Sequence, residues 1–256
     1  MKISIITATF NSSATLCDTI ESVLLQSYHD IEYIIVDGGS TDNTLSIIRE
    51  YEQRFNGYMR WISEPDKGIY DAMNKGIRMA TGDVVGILNS DDFYADEHVL
   101  SDIAAVFTDQ NPDCVYGDLK FVDAINTDKI VRIWTGSQYT SGAFMKGWHP
   151  AHPTFYAKRI WFEKLGAFDI SFSVSADFEL MLRFIEKNHL NSCYINRCFV
   201  KMRQGGESTG SIKNIIKGNK NILRAFRKNG YKVSYLYPIK RLLPKAINVL
   251  KSKIIK

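Results

Sequence analysis

Five polar clusters carry residue types and spacings that suit chemistry. Asn89-Ser90-Asp91-Asp92 closes an apolar run. Adjacent carboxylates there suit Mg²⁺ or Mn²⁺, hard cations that take oxygen ligands and leave positions for phosphate. The same residues also suit a plain turn or helix cap. Asp37-Gly38-Gly39-Ser40-Thr41-Asp42 pairs glycines, which let backbone approach a ligand, with Asp37, an acceptor for a ring N–H or a ribose hydroxyl. A tight strand-to-helix loop explains it equally. Glu64 to Asn74 is dense in polar groups: Asp66 and Asp71 favour a helix dipole, whereas the cation Lys67 fits better beside an anion. Asp177, in Ser175-Ala176-Asp177-Phe178-Glu179, suits a general base towards a hydroxyl, or a helix start capped by Ser175. His149 and His152 offer a metal ligand or a phosphate donor, or are hydrogen-bonded structural histidines. GxGxxG and GK[ST] phosphate loops are absent.

These clusters fall at the ends of regular elements. Ile3 to Thr9 reads as a buried strand, followed by a helix capped by Ser13 with Leu16, Ile20, Val23 and Leu24 at helical spacing. Tyr33 to Val36 is a second strand, and Ser40 or Thr41 caps the next helix. Trp61 to Ser63 is a short third strand. Ile69, Met73, Ile77 and Ala80 mark a helix that Gly82 is placed to end, and Val84 to Leu88 is a fourth strand. Strand–helix alternation predicts a mostly parallel sheet covered on both faces, with ligands at the carboxyl ends of its strands. Further on, Asp113 to Tyr116 and Lys129 to Trp134 are strand-like, residues 135–151 suit a long functional loop, and Phe178, Met181, Leu182 and Ile185 mark a helix.

The 256 residues are 45% hydrophobic and 23% charged, which excludes disordered and fibrous classes. Cys17, Cys114, Cys193 and Cys198 form no CxxC, so neither a zinc site nor a disulfide framework is expected and a reducing compartment fits. No apolar run is long enough for a signal peptide or a membrane span. The net charge of +4 divides sharply: Ser208 to Lys256 holds 13 Lys and Arg and no acid, and the preceding residues hold 19 against 28. The acidic body argues against nucleic acid as a partner, and the tail interleaves cations with Ile215, Ile216, Ile222, Leu236, Leu242 and Leu243 in the manner of a helix at an anionic membrane. Packing of that apolar stripe against the body is the alternative.

Taken in order, the motifs resemble glycosyltransferase family 2 with the GT-A fold. The resemblance rests on Ile3 to Asn11, Val36 to Asp42, Asp66 to Gly76, Gly82-Asp83, Asn89 to Asp92, His152-Pro153-Thr154, Gly166 to Asp169 and Ala176 to Leu180. It covers residues 1 to about 208 and is nearest to bacterial enzymes of O-antigen, capsule or exopolysaccharide assembly. It implies an α/β fold with a Rossmann-like nucleotide-binding half, a glycosyltransferase domain over 1–208 and a basic helical region over 209–256. Thr7, Thr9, Asn11, Asp37, Asp66, Lys67 and Ser90 would hold the nucleotide, usually of uracil. Asp91, with Asp92 in reserve, would bind Mn²⁺ or Mg²⁺ and the diphosphate. Asp177 would deprotonate the acceptor. Asn74, Asn89, His149, His152, Gly205, Gly206 and Ser208 would contact donor or acceptor. Asn89 stands where the family often has the first Asp of its DxD, Ala176 replaces a common Glu, and QxxRW is missing, which points to one sugar per encounter. The implied partners are a nucleotide-sugar and a lipid-linked saccharide, at the inner face of the cell membrane. A sugar-1-phosphate nucleotidylyltransferase is a rival α/β reading, but its glycine- and arginine-rich phosphate loop is missing from Thr9 to Ser13. A non-catalytic nucleic-acid-binding module is the other.

Overall fold

Residues 1–205 and 212–238 are described by a computed structural model of the chain, with side chains of the last segment from 215 onward. In chain order the strands are Ile3–Thr9 (β1), Ile31–Asp37 (β2), Met59–Ser63 (β3), Val84–Ile87 (β4), Asp92–Tyr94 (β5), Cys114–Val122 (β6), Ile130–Trp134 (β7), Tyr156–Lys158 (β8) and Ser192–Arg203 (β9). The α-helices are Leu16–Leu24 (α1), Thr44–Glu52 (α2), Ile69–Met79 (α3), Val99–Gln110 (α4), Arg159–Leu165 (α5), Ala176–Met181 (α6) and Ile212–Lys228 (α7). Among the described residues the strands form one sheet in the order β3-β2-β1-β4-β8-β6-β9-β5, with β7 on β6. The β3-β2-β1-β4 half is parallel, while β8 runs antiparallel to both β4 and β6.

β1 and β2 are buried along their whole length, as strands covered on both faces must be. Their side chains alternate. Ile3, Ile5, Tyr33 and Ile35 meet α1, α2 and α4 in one core. Ile6, Ala8, Ile34 and Val36 meet α3, α6 and α7 in the other. Gly76 lets α3 lie close on β1, since a Cβ there would fall 2.3 Å from Ile6 Cγ2.

Three expected helix boundaries are displaced, because the loop residues bond within their own turns or to neighbouring segments. Leu16 rather than the residue after Ser13 opens α1, because residues 12–15 form a turn in which the N–H groups of Thr15 and Leu16 both donate to the Ser12 carbonyl. The Ser13 N–H donates to Asp42 Oδ2 at 3.1 Å. Ser40 turns its hydroxyl to Asp37, and Asp42 Oδ1 instead accepts the Thr44 N–H that opens α2, at 3.0 Å. α3 ends at Met79, before Gly82. That glycine serves close approach, because a Cβ there would lie 2.6 Å from Ser4 Oγ.

At the opposite end of the sheet from the polar loops, buried Glu32 joins four elements. Its Oε1 accepts from Ser4 Oγ at 2.6 Å and the Gly82 N–H at 2.9 Å, and its Oε2 from Arg60 Nη2 at 2.9 Å and Thr81 Oγ1 at 3.0 Å. Burial alone would raise its pKa, but these donors hold it at about 2.

α7 is docked on the body. Ile222, Ala225 and Phe226 lie in the core with Phe178, whose ring centroid is 5.4 Å from that of Phe226. Asn221 Nδ2 donates to the Val174 carbonyl at 2.8 Å, and Arg224 Nη1 to the Ser171 carbonyl at 3.0 Å. The helix beyond 208 thus shares the core of the preceding residues. Ile215 and Ile216, on its other side, are exposed. The expected stripe residues Leu242 and Leu243 lie outside the described residues, and among the described residues no helix is long and apolar enough to cross a membrane.

Candidate active site

The polar loops converge at the carboxyl ends of β1, β2 and β4, and side chains stitch them together. Asn11, at φ +49°, accepts the Thr41 N–H on Oδ1 at 2.9 Å, while its own N–H donates to Ser40 Oγ at 2.8 Å. The hydroxyls of Ser12 and Ser90 are 2.9 Å apart, and Thr15 Oγ1 donates to the Ser90 carbonyl at 2.9 Å. Thr19 Oγ1 donates to the Asp92 carbonyl at 2.7 Å. Asn11 and Ser90 are therefore part of the rim's framework.

Thr9 ends β1 with a buried hydroxyl that has no hydrogen-bond partner among the described residues. Beside it, Asp37 is fully buried. Its Oδ2 accepts from the N–H groups of Gly39 and Ser40 and from Ser63 Oγ, whereas its Oδ1, among the described residues, accepts from Ser40 Oγ alone. Asp66 reaches the same place: its Oδ2 lies 3.0 Å from where a Cβ on Gly38 would be, and its Oδ1 pairs with Lys75 Nζ at 2.5 Å. Lys67 is exposed next to the start of α3. Its backbone N–H donates to Asp71 Oδ2, and its ammonium has no ion-pair partner among the described residues.

Two of the expected contact residues make hydrogen bonds to the protein itself. Thr7 is fully buried, its hydroxyl donating to the Leu88 carbonyl at 2.8 Å and accepting from Tyr33 at 3.0 Å, so it braces β1 against β4. Asn74 uses both amide atoms on the backbone of Phe168, each at 2.8 Å, and clamps the Gly166–Asp169 turn to α3. His149 packs edge-on against Trp134 and Phe178, at 5.0 and 5.4 Å between centroids, and its Nδ1 lies 2.9 Å from the Pro150 carbonyl. Gly205 sits in the turn after β9 at φ +107°, and Gly206 and Ser208 lie outside the described residues.

The two adjacent acids have different surroundings. Asp92 is fully buried, with Oδ2 accepting from Asn89 Nδ2 at 2.9 Å and Oδ1 without a partner among the described residues. Burial, then the neighbouring Asp91 charge, pushes its pKa well up, which disfavours it as an exposed metal ligand. Asp91 is half-buried. Burial raises its pKa too, while the charges of Arg203 and His152 oppose the rise. Arg203 anchors this turn, donating from Nη1 to the Asp91 carbonyl at 2.8 Å and from Nη2 to Asp18.

Asp177 opens α6 behind Ser175, which sits at φ +67° and makes no side-chain cap. Tyr70 donates to Asp177 Oδ1 at 3.1 Å, and His152 Nδ1 is 3.5 Å from Oδ2. His152 is itself clipped in place, since Thr154 Oγ1 lies 2.8 Å from the Ala151 carbonyl and 3.0 Å from the Gly117 carbonyl. A small cavity lined by Ile87, Phe155, Phe168 and Leu180 lies beside Asp177 and His152. Glu186, buried in the π-helical turn Leu182–Lys187 that continues α6, holds the 135–151 loop by the N–H groups of Gly142 (2.8 Å) and Phe144 (3.4 Å). Tyr70, Arg203 and Glu186 received no role from the sequence. Tyr70 alone had a signal, its place inside the Glu64–Asn74 cluster.

The sequence profile described as "Glycosyl transferase family 2" matches residues 4–174. The chain belongs to glycosyltransferase family 2. Its relatives include a PGL/p-HBAD biosynthesis glycosyltransferase of Mycobacterium bovis BCG, 29% identical over 210 residues that are 82% of this chain and 79% of the relative. A glycosyltransferase of Mycobacterium tuberculosis H37Rv is 31% identical over 187 residues, 71% of this chain and 68% of the relative. Among solved structures, S. aureus TarS 1–349 with UDP-GlcNAc superposes at TM-score 0.69 and 18% identity over 93% of this chain and 69% of that one, and the chain spans 41% of a longer TarS structure. PcManGT of Pyrobaculum calidifontis with GDP-Man and Mn²⁺ gives TM-score 0.66 at 18% identity over 94% and 69%. These likenesses make the fold GT-A. Family membership also sets aside the nucleotidylyltransferase and nucleic-acid-binding readings.

Proposed function

We propose that this family-2 glycosyltransferase moves one hexose or N-acetylhexosamine from a nucleotide-sugar, UDP-linked in the first instance, to a hydroxyl of a lipid-linked saccharide, with inversion. The observation that carries the reading is Asp177. Tyr70 donates to its Oδ1 at 3.1 Å and His152 Nδ1 lies 3.5 Å from its Oδ2, and in this reading that carboxylate is the proton acceptor.

In this reading the nucleoside lies against Thr9, whose orphan hydroxyl is available, and Asp37 Oδ1, the carboxylate oxygen with capacity left for a ring N–H. Lys67 meets the diphosphate as a point charge. Asp91 and the phosphate oxygens form a hard, all-oxygen donor set, which fits Mn²⁺ or Mg²⁺. Among the described residues no three His, Cys, Asp or Glu converge, and a cation shared with substrate phosphates needs no such cage. When bound, that cation would offset charge on the leaving diphosphate. Asp177 takes the acceptor proton while the acceptor oxygen attacks C1 and the C1–O bond to the diphosphate breaks, its electron pair leaving with the diphosphate. One displacement turns an α-linked donor into a β-linked product.

Docking on the inner membrane face is proposed from the exposed Ile215, Ile216, Tyr235 and Leu236, in a stretch of sequence that carries 13 cations and no acid after Glu207. Co-sedimentation tests it: the protein should pellet with anionic vesicles at low salt and stay in the supernatant with neutral ones. The class and nucleotide are tested by a thermal-shift panel of UDP-, GDP-, dTDP- and CMP-sugars with Mn²⁺. Stabilisation by one nucleotide class, with release of its nucleoside diphosphate, supports the reading, and no stabilisation by any of them overturns it. Asp177→Asn should keep donor binding and lose about 10²–10⁴-fold in transfer.

A further inference from the structure

Tyr70 lies on the first turn of α3, two residues after the Asp66-Lys67-Gly68 segment, and spans 107 positions in sequence to reach Asp177. Its ring leans on Phe168, with centroids 5.5 Å apart, and Phe168 is held in turn by the amide of Asn74 four residues along the same helix. Ring and hydroxyl are thus fixed by separate contacts. Asp177 itself is on a six-residue helix whose preceding residue takes a left-handed backbone and gives no cap. Little in its own element sets the side-chain rotamer.

We propose that Tyr70 is a positioning residue for sugar transfer: its hydroxyl holds Oδ1 of Asp177 and thereby leaves Oδ2 as the oxygen that receives the acceptor proton. The inference rests on the reading of Asp177 as the base. The phenol is buried beside a carboxylate, and both effects push its pKa well up, so it stays protonated and donates. Oδ2 then faces His152, 3.5 Å away at Nδ1, whose turn is fastened to β6. In the transfer step the acceptor O–H bond breaks with its proton going to Oδ2. The oxygen's pair forms the bond to C1, and the C1–O pair departs on the diphosphate. Tyr70 keeps its own proton throughout. The same residue ties the donor-side segment at the start of α3 to the acceptor-side base, so one rigid helix turn sets both.

The test compares the parent, Tyr70→Phe, Asp177→Asn and the double variant of the full chain. The assay is nucleoside diphosphate release from the nucleotide-sugar that the panel selects, with water as acceptor, and nucleotide affinity is read by calorimetry. Phe keeps the ring contact with Phe168 and removes only the hydroxyl. Loss of a hydrogen bond to a charged group predicts a fall in kcat of about tenfold, with donor KM and nucleotide Kd changed less than about twofold. In the Asp177→Asn background the Tyr70→Phe change should cost nothing further, because the oxygen it positions no longer accepts a proton. Parental kcat in Tyr70→Phe, or an equal loss in both backgrounds, overturns the positioning role. If Asp177→Asn itself keeps more than about a tenth of parental turnover, the assignment of the base fails instead.

Discussion

Glu32→Gln is the perturbation whose size follows most directly from the structure. The carboxylate is buried, and its five hydrogen bonds come from Ser4, Arg60, Thr81 and Gly82. Glutamine matches its shape but puts an NH₂ donor where Arg60 and Thr81 already donate. The folded-state pKa of Glu32 is lowered from 4.5 to about 2, equivalent to about 3 kcal/mol of stability. Because the value is depressed on folding, the unfolded chain binds the proton first as pH falls. The contribution is therefore complete above about pH 4.5 and is lost as pH drops towards 2. Urea unfolding of parent and variant, followed by far-ultraviolet circular dichroism at pH 6 and pH 3, measures this. The variant should be about 3 kcal/mol less stable at pH 6, and the gap should narrow by about 2 kcal/mol at pH 3. Other carboxylates titrate alike in both proteins and cancel. A gap that is the same at both pH values would refute the reasoning, since it would mean that Glu32 acts by shape and not by charge.

Asp91→Ala should lower transfer by about 10²-fold or more with an unchanged melting temperature, whereas Asp92→Asn, which replaces a carboxyl already disfavoured as an anion, should stay within about tenfold of the parent. Steady-state kinetics with Mn²⁺ titration separates the two. Arg203→Met should cost about 1–3 kcal/mol in urea unfolding, through the lost bonds to Asp91 and Asp18, and should weaken nucleotide-sugar binding. Phe226→Ala should cost about 3–5 kcal/mol and lower kcat, because the ring supports Phe178 on the helix that carries Asp177. An unchanged unfolding midpoint would show that α7 does not buttress the body in solution.

The parallel half of the fold was legible because its signals are local. Apolar runs such as Ile3–Thr9 are buried on both faces and each is followed by a helix with clear periodicity. The second half was less so. β9 alternates poorly through Asn196, Arg197 and Cys198, and its register against β6 shifts at Asp118, so the strand exists only through its partners. The polar clusters were legible as places but not as roles. The resemblance ranks Asp91 ahead of Asp92, but only packing shows that the Asp92 side chain is sealed beneath the turn. Thr7 and Asn74 lie in motifs near the site, yet their partners, Leu88 and Phe168, are main-chain groups distant in sequence. The pairing of Tyr70 with Asp177, 107 positions apart, is likewise a property of the folded chain.

The hydrogen bonds that join Asn11 to Thr41, Ser12 and Thr15 to Ser90 and Thr19 to Asp92 bear on how this enzyme can be redesigned. A rim already fastened before the donor arrives loses little disorder on binding, so affinity for the nucleotide is set by the few groups still unengaged. Altered nucleotide preference should therefore be sought by changing side chains at Thr9 and Lys67, which make no side-chain hydrogen bond or ion pair among the described residues. Remodelling the loops themselves would undo bonds shared by three strand ends at once. Libraries confined to those two positions should yield folded proteins at high frequency, and libraries spread through Asn11, Ser12 and Ser90 should yield few.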